Sequence, residues 1–225
     1  MSRGQRYSLL TIVGHFFFLV GYGQRADTSM WIADRLNTGK TASYLEELEK
    51  NVLFELNKMR VNPPAYAQLY IEPMMAYFKG KVDTKHNIQT SEGVSAVQEC
   101  IAQMRMTPKM GVLEPHKGLS AAASRHTALQ SKTDEIGHTS PNGETFEYRL
   151  RKVKFMSTAE CISYGEDVAR DIVISLLIDD GVSNRGHRRT LLNPGYTFVG
   201  ISAGNNKAYA HMCTLDFGGG PIGGK

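Results

Sequence analysis

Long apolar runs are scarce in this 225-residue chain. The longest runs from Leu9 to Val20, about twelve residues. As a helix it would reach only ~18 Å, short of the ~30 Å hydrocarbon core of a bilayer. Arg3 and Arg6 precede it, and Gly21 and Gly23 follow. A charged start, a short apolar centre and a small-residue exit describe a secretory signal peptide over 1–23, cut near residues 21–26. The rival is an uncleaved anchor; no later stretch is apolar enough to span a membrane. Cysteine is also scarce. Cys100, Cys161 and Cys213 are too few for a disulfide-dense scaffold, and they allow either one bridge or three buried thiols. Basic blocks are missing. The formal charge of +4 falls to about +2 once Arg3 and Arg6 leave with the signal. With no aromatic stacking run either, nucleic acid is excluded as a partner. Internal repeats, low-complexity tracts, a His-Glu-x-x-His helix and a nucleophile elbow are absent too.

What is present is a sequence of helices followed by strands. Residues 24–42 are polar and read as an N-terminal arm. Ser43 and Glu46 have capping-box spacing, with Leu45, Leu48, Val52, Leu56 and Met59 behind them at helical intervals. Asn62-Pro63-Pro64 ends that helix and starts another. After a loop over 72–90, helices are expected over 92–106 and 119–133. A short one follows at 145–152. Next come a strand at 155–164 and a helix that Asp167 could cap, buried through Val168, Ile172, Val173, Leu176 and Leu177. Strands over 197–203 and 209–217 form the end, joined by Gly204-Asn205-Asn206-Lys207, good hairpin chemistry. Cys161 and Cys213 would then lie on adjoining strands, close enough for a bridge. Residues 218–221 read as a loop or frayed tail. This order predicts an α+β domain over 43–219, with a tail over 220–225.

Four places put polar groups beside glycines, in turns or at the end of an apolar run: Gly137-His138-Thr139-Ser140, Ala159-Glu160-Cys161, Asp179-Asp180-Gly181 and Arg185-Gly186-His187-Arg188. Such positions project side chains from a rigid frame. Two imidazoles and one or two carboxylates could hold a divalent metal or form an acid/base set; turn histidines without a role are the plain alternative. His126 reads as a packing histidine, and His211 as a strand residue. Cys161 as a Cys–His nucleophile is less expected than a bridged or buried thiol, and Ser140 near His138 lacks an elbow. Arg185, Arg188 and Arg189 read as a solvated turn, with an anion site at the cleft as the sharper option.

In this order, the four segments and the closing hairpin resemble the CAP superfamily, the cysteine-rich secretory, antigen 5 and pathogenesis-related 1 proteins with their SCP-like bacterial relatives. The resemblance covers residues 44–219 and is strongest over 136–219. It implies an α-β-α sandwich, a central antiparallel sheet flanked by helices, and a large cleft holding two histidines and two acids. His138 and His187 correspond to the histidines, with zinc as a possible ligand. Glu160 corresponds to the glutamate of the family's Gly-Glu-Asn motif, here Ala159-Glu160-Cys161. Gly165-Glu166-Asp167 copies that motif more closely, but Ile162-Ser163-Tyr164-Gly165 and the distance to the next helix favour Glu160. The second acid falls at Asp179 or Asp180.

The resemblance thus implies a secreted binding module without turnover, with a polar cleft that can take zinc and receives a small molecule, a lipid or a cell-envelope partner. The alternatives are a peptidase-like metal-dependent hydrolase with Glu160 as its base and a lipid or sterol carrier. No membrane span is expected after signal cleavage.

Overall fold

The structure, a computed structural model, describes residues 31–78, 82–83 and 88–222. The expected signal peptide lies outside the described residues. Among these residues no helix is long and apolar enough to cross a membrane.

Among the described residues, eight α-helices pack around a four-stranded sheet, and a π-helix (Ala67–Ile71) leads into a 3-10 helix (Glu72–Ala76) that fills the start of the expected loop. The first half holds α1 (Ala33–Leu36), α2 (Glu47–Val61), α3 (Pro63–Tyr66), a short hairpin of β1 (Val82–Asp83) and β2 (Ile88–Gln89), α4 (Val94–Met106), β3 (Glu114–Pro115) and α5 (Lys117–Gln130). The second half holds α6 (Phe146–Leu150), β4 (Phe155–Tyr164), α7 (Ala169–Ile178), α8 (Gly186–Leu191), β5 (Phe198–Asn206) and β6 (Ala210–Pro221). The main sheet runs β3-β5-β6-β4. It is antiparallel except for β3, which pairs parallel to β5 through Glu114 and Pro115.

Local chemistry accounts for these elements, with some shifts from expectation. The first capping box forms one turn later than Ser43, between Glu46 and Glu49. The side chain of Asn62 accepts from the Ala65 N–H, as its place before two prolines suggests. Asp167 makes no cap; α7 starts after Val168 without a side-chain bond, and Val168, expected on the buried side, is exposed because it stands outside the helix as its N-cap. The described part of the arm is no free arm, because Trp31, Leu36 and Ala42 join the main core. Gly218 to Pro221 is strand rather than tail: β4 pairs with it from Phe155 onward, supplying the ladder that glycine propensity alone does not.

Strand alternation sorts the core into two sides. Cys161, Cys213, Leu215 and Phe217 face a large cluster with α2, α4 and α7. Seven residues of α7 are buried there, and the six large ones, Ile172, Val173, Ile174, Leu176, Leu177 and Ile178, each contribute about 1.5–3 kcal/mol. The opposite face carries Glu160, Thr214 and Asp216 and is covered by α5 and α6. This is the expected α-β-α layering. Gly200 lets α5 lie directly on the sheet, since a Cβ there would sit 2.0 Å from the Ser120 nitrogen. Strand β4 forms one edge of the sheet, with β3 at the other. The three cysteines are buried free thiols. Cys213 is opposite Ser163 and Cys161 opposite Leu215, so the expected bridge does not form.

Candidate functional site

One cleft of about 1180 Å³ opens along the β4 edge. The loop after α5 borders it on one side, and the turn from α7 to α8 on the other. His138, Glu160, Asp179, Asp180 and His187 all line it, brought together from four segments far apart in sequence.

The first half of the site is built downward from His138. Its ring is exposed on the loop, and its Nδ1 lies 2.8 Å from Glu160 Oε1. The other Glu160 oxygen accepts from Arg149 Nη2 at 2.6 Å. Both the Glu160 and Arg149 side chains are essentially out of solvent. Arg149 Nη1 donates to the carbonyls of His138 and Glu144 and to Ser140 Oγ, so one guanidinium holds the loop and the carboxylate at once. Burial pushes the Glu160 carboxyl up. The hydrogen bond from His138 and the charge of Arg149 outweigh it and hold the group below the usual carboxylate range. Behind the loop, His126 bonds Ser140 Oγ at 2.8 Å and the Gly137 carbonyl at 2.9 Å. Burial brings its pKa down to about 4, so it is a neutral, satisfied packing histidine.

The second half is built around Asp179, the C-cap of α7, in the left-handed region at φ 55°. Aspartate tolerates this region better than most residues. Asp179 Oδ1 lies 2.7 Å from His187 Nδ1, and Oδ2 accepts from the His187 and Arg188 backbone N–H groups at 2.9 and 3.3 Å. Asp180 turns the other way. Its carboxylate accepts from the backbone N–H groups of Ser91 and Glu92 ahead of α4, so it supports the cleft wall rather than presenting a free acid.

The basic cluster is not one solvated turn. Arg185 pairs with Glu92 and Glu99, and Arg188 is fully buried, donating to the carbonyls of Leu177, Ile178 and Ala96. Arg189 alone of the three stays exposed at the cleft.

Both cleft histidines are therefore held the same way. An ionised carboxylate only accepts, so each Nδ1 carries a hydrogen, and Nε2 is the nitrogen whose lone pair the neutral form of the ring would offer. Glu160, with one oxygen on His138 and the other on Arg149, positions the imidazole rather than standing ready as a base. Among the described residues no three His, Cys, Asp or Glu side chains gather as metal ligands. A closed structural zinc site does not fit this donor set, and any bound cation would rest on the two Nε2 atoms and water. Cys161 is buried, and burial pushes its thiol well above the ordinary range, which removes it as a nucleophile.

Three participants escaped the sequence reading. Arg149 looks there like one charge of a short surface helix. Asp216 alternates with apolar residues on β6, which reads as a solvent face. Glu166 is buried beside the cleft and hydrogen-bonded by Ser163 Oγ. Burial pushes its pKa up to about 8 despite that bond. The only forewarning was the likeness of Gly165-Glu166-Asp167 to the family motif.

The sequence pattern of the cysteine-rich secretory protein family, CAP, matches residues 98–217. Two solved structures are similar. One is an extracellular protein containing an SCP domain from Bacillus anthracis str. Ames, 21% identical with a TM-score of 0.41, covering 56% of this chain and 37% of that one. The other is an outer surface protein from Borrelia burgdorferi, 21% identical with a TM-score of 0.42, covering 63% of this chain and 98% of that one. The chain thus spans little more than a third of the first. No curated protein matches it.

Proposed function

Because the chain belongs to the cysteine-rich secretory protein (CAP) family, we propose that it is a binding module whose cleft takes a ligand on the paired acceptor nitrogens of His138 and His187. With membership goes localisation: the protein is secreted or extracytoplasmic. One observation carries the proposal. Each imidazole is anchored at Nδ1 by its own buried carboxylate, which favours the Nδ1–H tautomer and leaves Nε2 as the nitrogen for a ligand. Two such acceptors suit the hydroxyl or amide N–H groups of a small ligand, and the same lone pairs suit a divalent cation such as zinc. Ile136, Ile162, Leu176 and Val182 add an apolar wall, which favours a ligand with an apolar part.

Zinc is the probe, because it competes directly for the lone pairs. Calorimetry at pH 7 should show binding by the native protein and at least a tenfold loss, about 1.4 kcal/mol, in both His138→Ala and His187→Ala. Mildly acidic buffer, in which histidine takes up its second proton, should weaken it as well. Equal zinc affinity in the native protein and both variants rejects the shared site.

A further inference from the structure

Beneath the His138 imidazole lies a carboxyl group that the cleft itself does not use. Asp216 stands on β6 directly opposite Glu160 on β4, and Gly200 is its neighbour on β5. Directly opposed residues of an antiparallel pair share a face, with Cβ atoms ~4.5–5.5 Å apart. That face is covered by α5, and Asp216 is 0% exposed. Neither of its carboxyl oxygens has a hydrogen-bond donor. The charged and titratable groups around it are few. Strand β4 brings Glu160 and, from the sheet's other face, the buried Cys161 thiol; α6 brings Arg149, and Gly200 brings none. Helix α5, which covers this face, carries His126, but that ring is neutral and occupied by Ser140 and Gly137.

Ionised, Asp216 would set two carboxylates against one guanidinium in a dry site and leave both its own oxygens without a donor. Native proteins rarely tolerate either condition. Protonated, it leaves Arg149 and Glu160 balanced and gains a donor. Glu160 has room to accept, because its two oxygens offer about four lone-pair positions and His138 and Arg149 occupy two. We propose that Asp216 keeps its acid proton in the folded protein and donates it to Glu160, a one-proton carboxyl pair that positions His138 from inside the sheet. The electrostatics run the same way. Burial first and the Glu160 charge second push Asp216 well above the usual carboxylate range, with Arg149 opposing. Two carboxyls so close share a proton rather than ionise together. Asp216 is a positioning residue: it acts on the imidazole through Glu160 and touches no ligand.

The rival arrangement is an ionised Asp216 turned toward Arg149 Nε, which is likewise buried without a partner. Carboxyl carbon NMR on the full chain, with labelled aspartate and Asp216→Asn for assignment, separates the two. The Asp216 signal should sit at the acid position at pH 7. In Glu160→Gln, which removes the neighbouring negative charge, its titration should move to lower pH. Asp216→Asn keeps a donor without a charge, so it should retain the native thermal midpoint and the His138 Nδ1–H signal, while Asp216→Ala should lose both. An ionised Asp216 signal at pH 7, or an asparagine variant as damaged as the alanine variant, overturns the proposal. If the alanine variant does not fold, the native spectrum decides alone.

Discussion

The carboxylate of Asp179 meets His187 at 2.7 Å only because its own backbone is left-handed, with φ 55° and ψ 42°. One residue thus stops α7, accepts from the first N–H groups of α8 and sets the ring that enters the cleft. The unfavourable backbone is offset by three hydrogen bonds to a buried charged acceptor.

Asp179→Ala should therefore cost about 2–4 kcal/mol, the charge-assisted bonds plus the left-handed penalty of a residue with a Cβ and no polar group. Asp179→Asn tolerates the same backbone and keeps one acceptor, so it should cost about half as much. Urea unfolding measures both. An alanine variant within about 0.5 kcal/mol of the native protein would show that the junction carries no such weight.

Arg149 is the counter-charge for Glu160 and the tie for the loop from His138 to Glu144. Replacing it by methionine leaves a buried carboxylate unpaired, which should cost about 3–5 kcal/mol. Lysine should rescue little, because one ammonium cannot reproduce a planar fork with bonds to Glu160 and the loop carbonyls. Amide exchange in residues 137–144 should quicken in both variants. Native-like protection there in Arg149→Met would mean the loop is held by something else.

Glu166 makes stability depend on pH. In the unfolded chain a glutamate loses its proton near ~4.3, whereas folded Glu166 holds it until about 8. Between those values the folded state binds the extra proton, so this group lowers stability steadily as pH rises, and its effect is level outside the window. Glu166→Gln, which is neutral throughout, should gain stability over the native protein as pH rises from 5 to 8. Urea midpoints at those two pH values give the comparison. A gain that is the same at both, or larger at pH 5, contradicts a buried neutral acid.

How far the sequence led can be judged from particular residues. The apolar stripe of α7 and the full span of β4 were legible because long periodic segments depend on burial pattern alone. The cleft residues came from the order of four short motifs, since no periodicity links His138 to His187. Arg149 and Asp216 were not legible, for a common reason. A polar residue alternating with apolar ones looks solvent-facing unless one knows that α5 and α6 cover that face. Asp180 was legible as an acid of the cleft but not in its direction, which the N–H groups ahead of α4 decide. The disulfide expectation failed on register: being on adjoining strands is not the same as being opposite.

Gly200 gives the site a tolerance that no cleft residue controls. Helix α5 rests on bare backbone there, and the loop bearing His138 hangs from α5 through His126, which grips Gly137 and Ser140. A single methyl group at position 200 would act as a shim, lifting the helix and tilting the loop it carries. Glu160 would stay with β4, so the two ends of the His138–Glu160 bond would part without either residue being altered. The alignment of the imidazole is in this sense a property of the spacing between a helix and a sheet, set where there is no side chain at all.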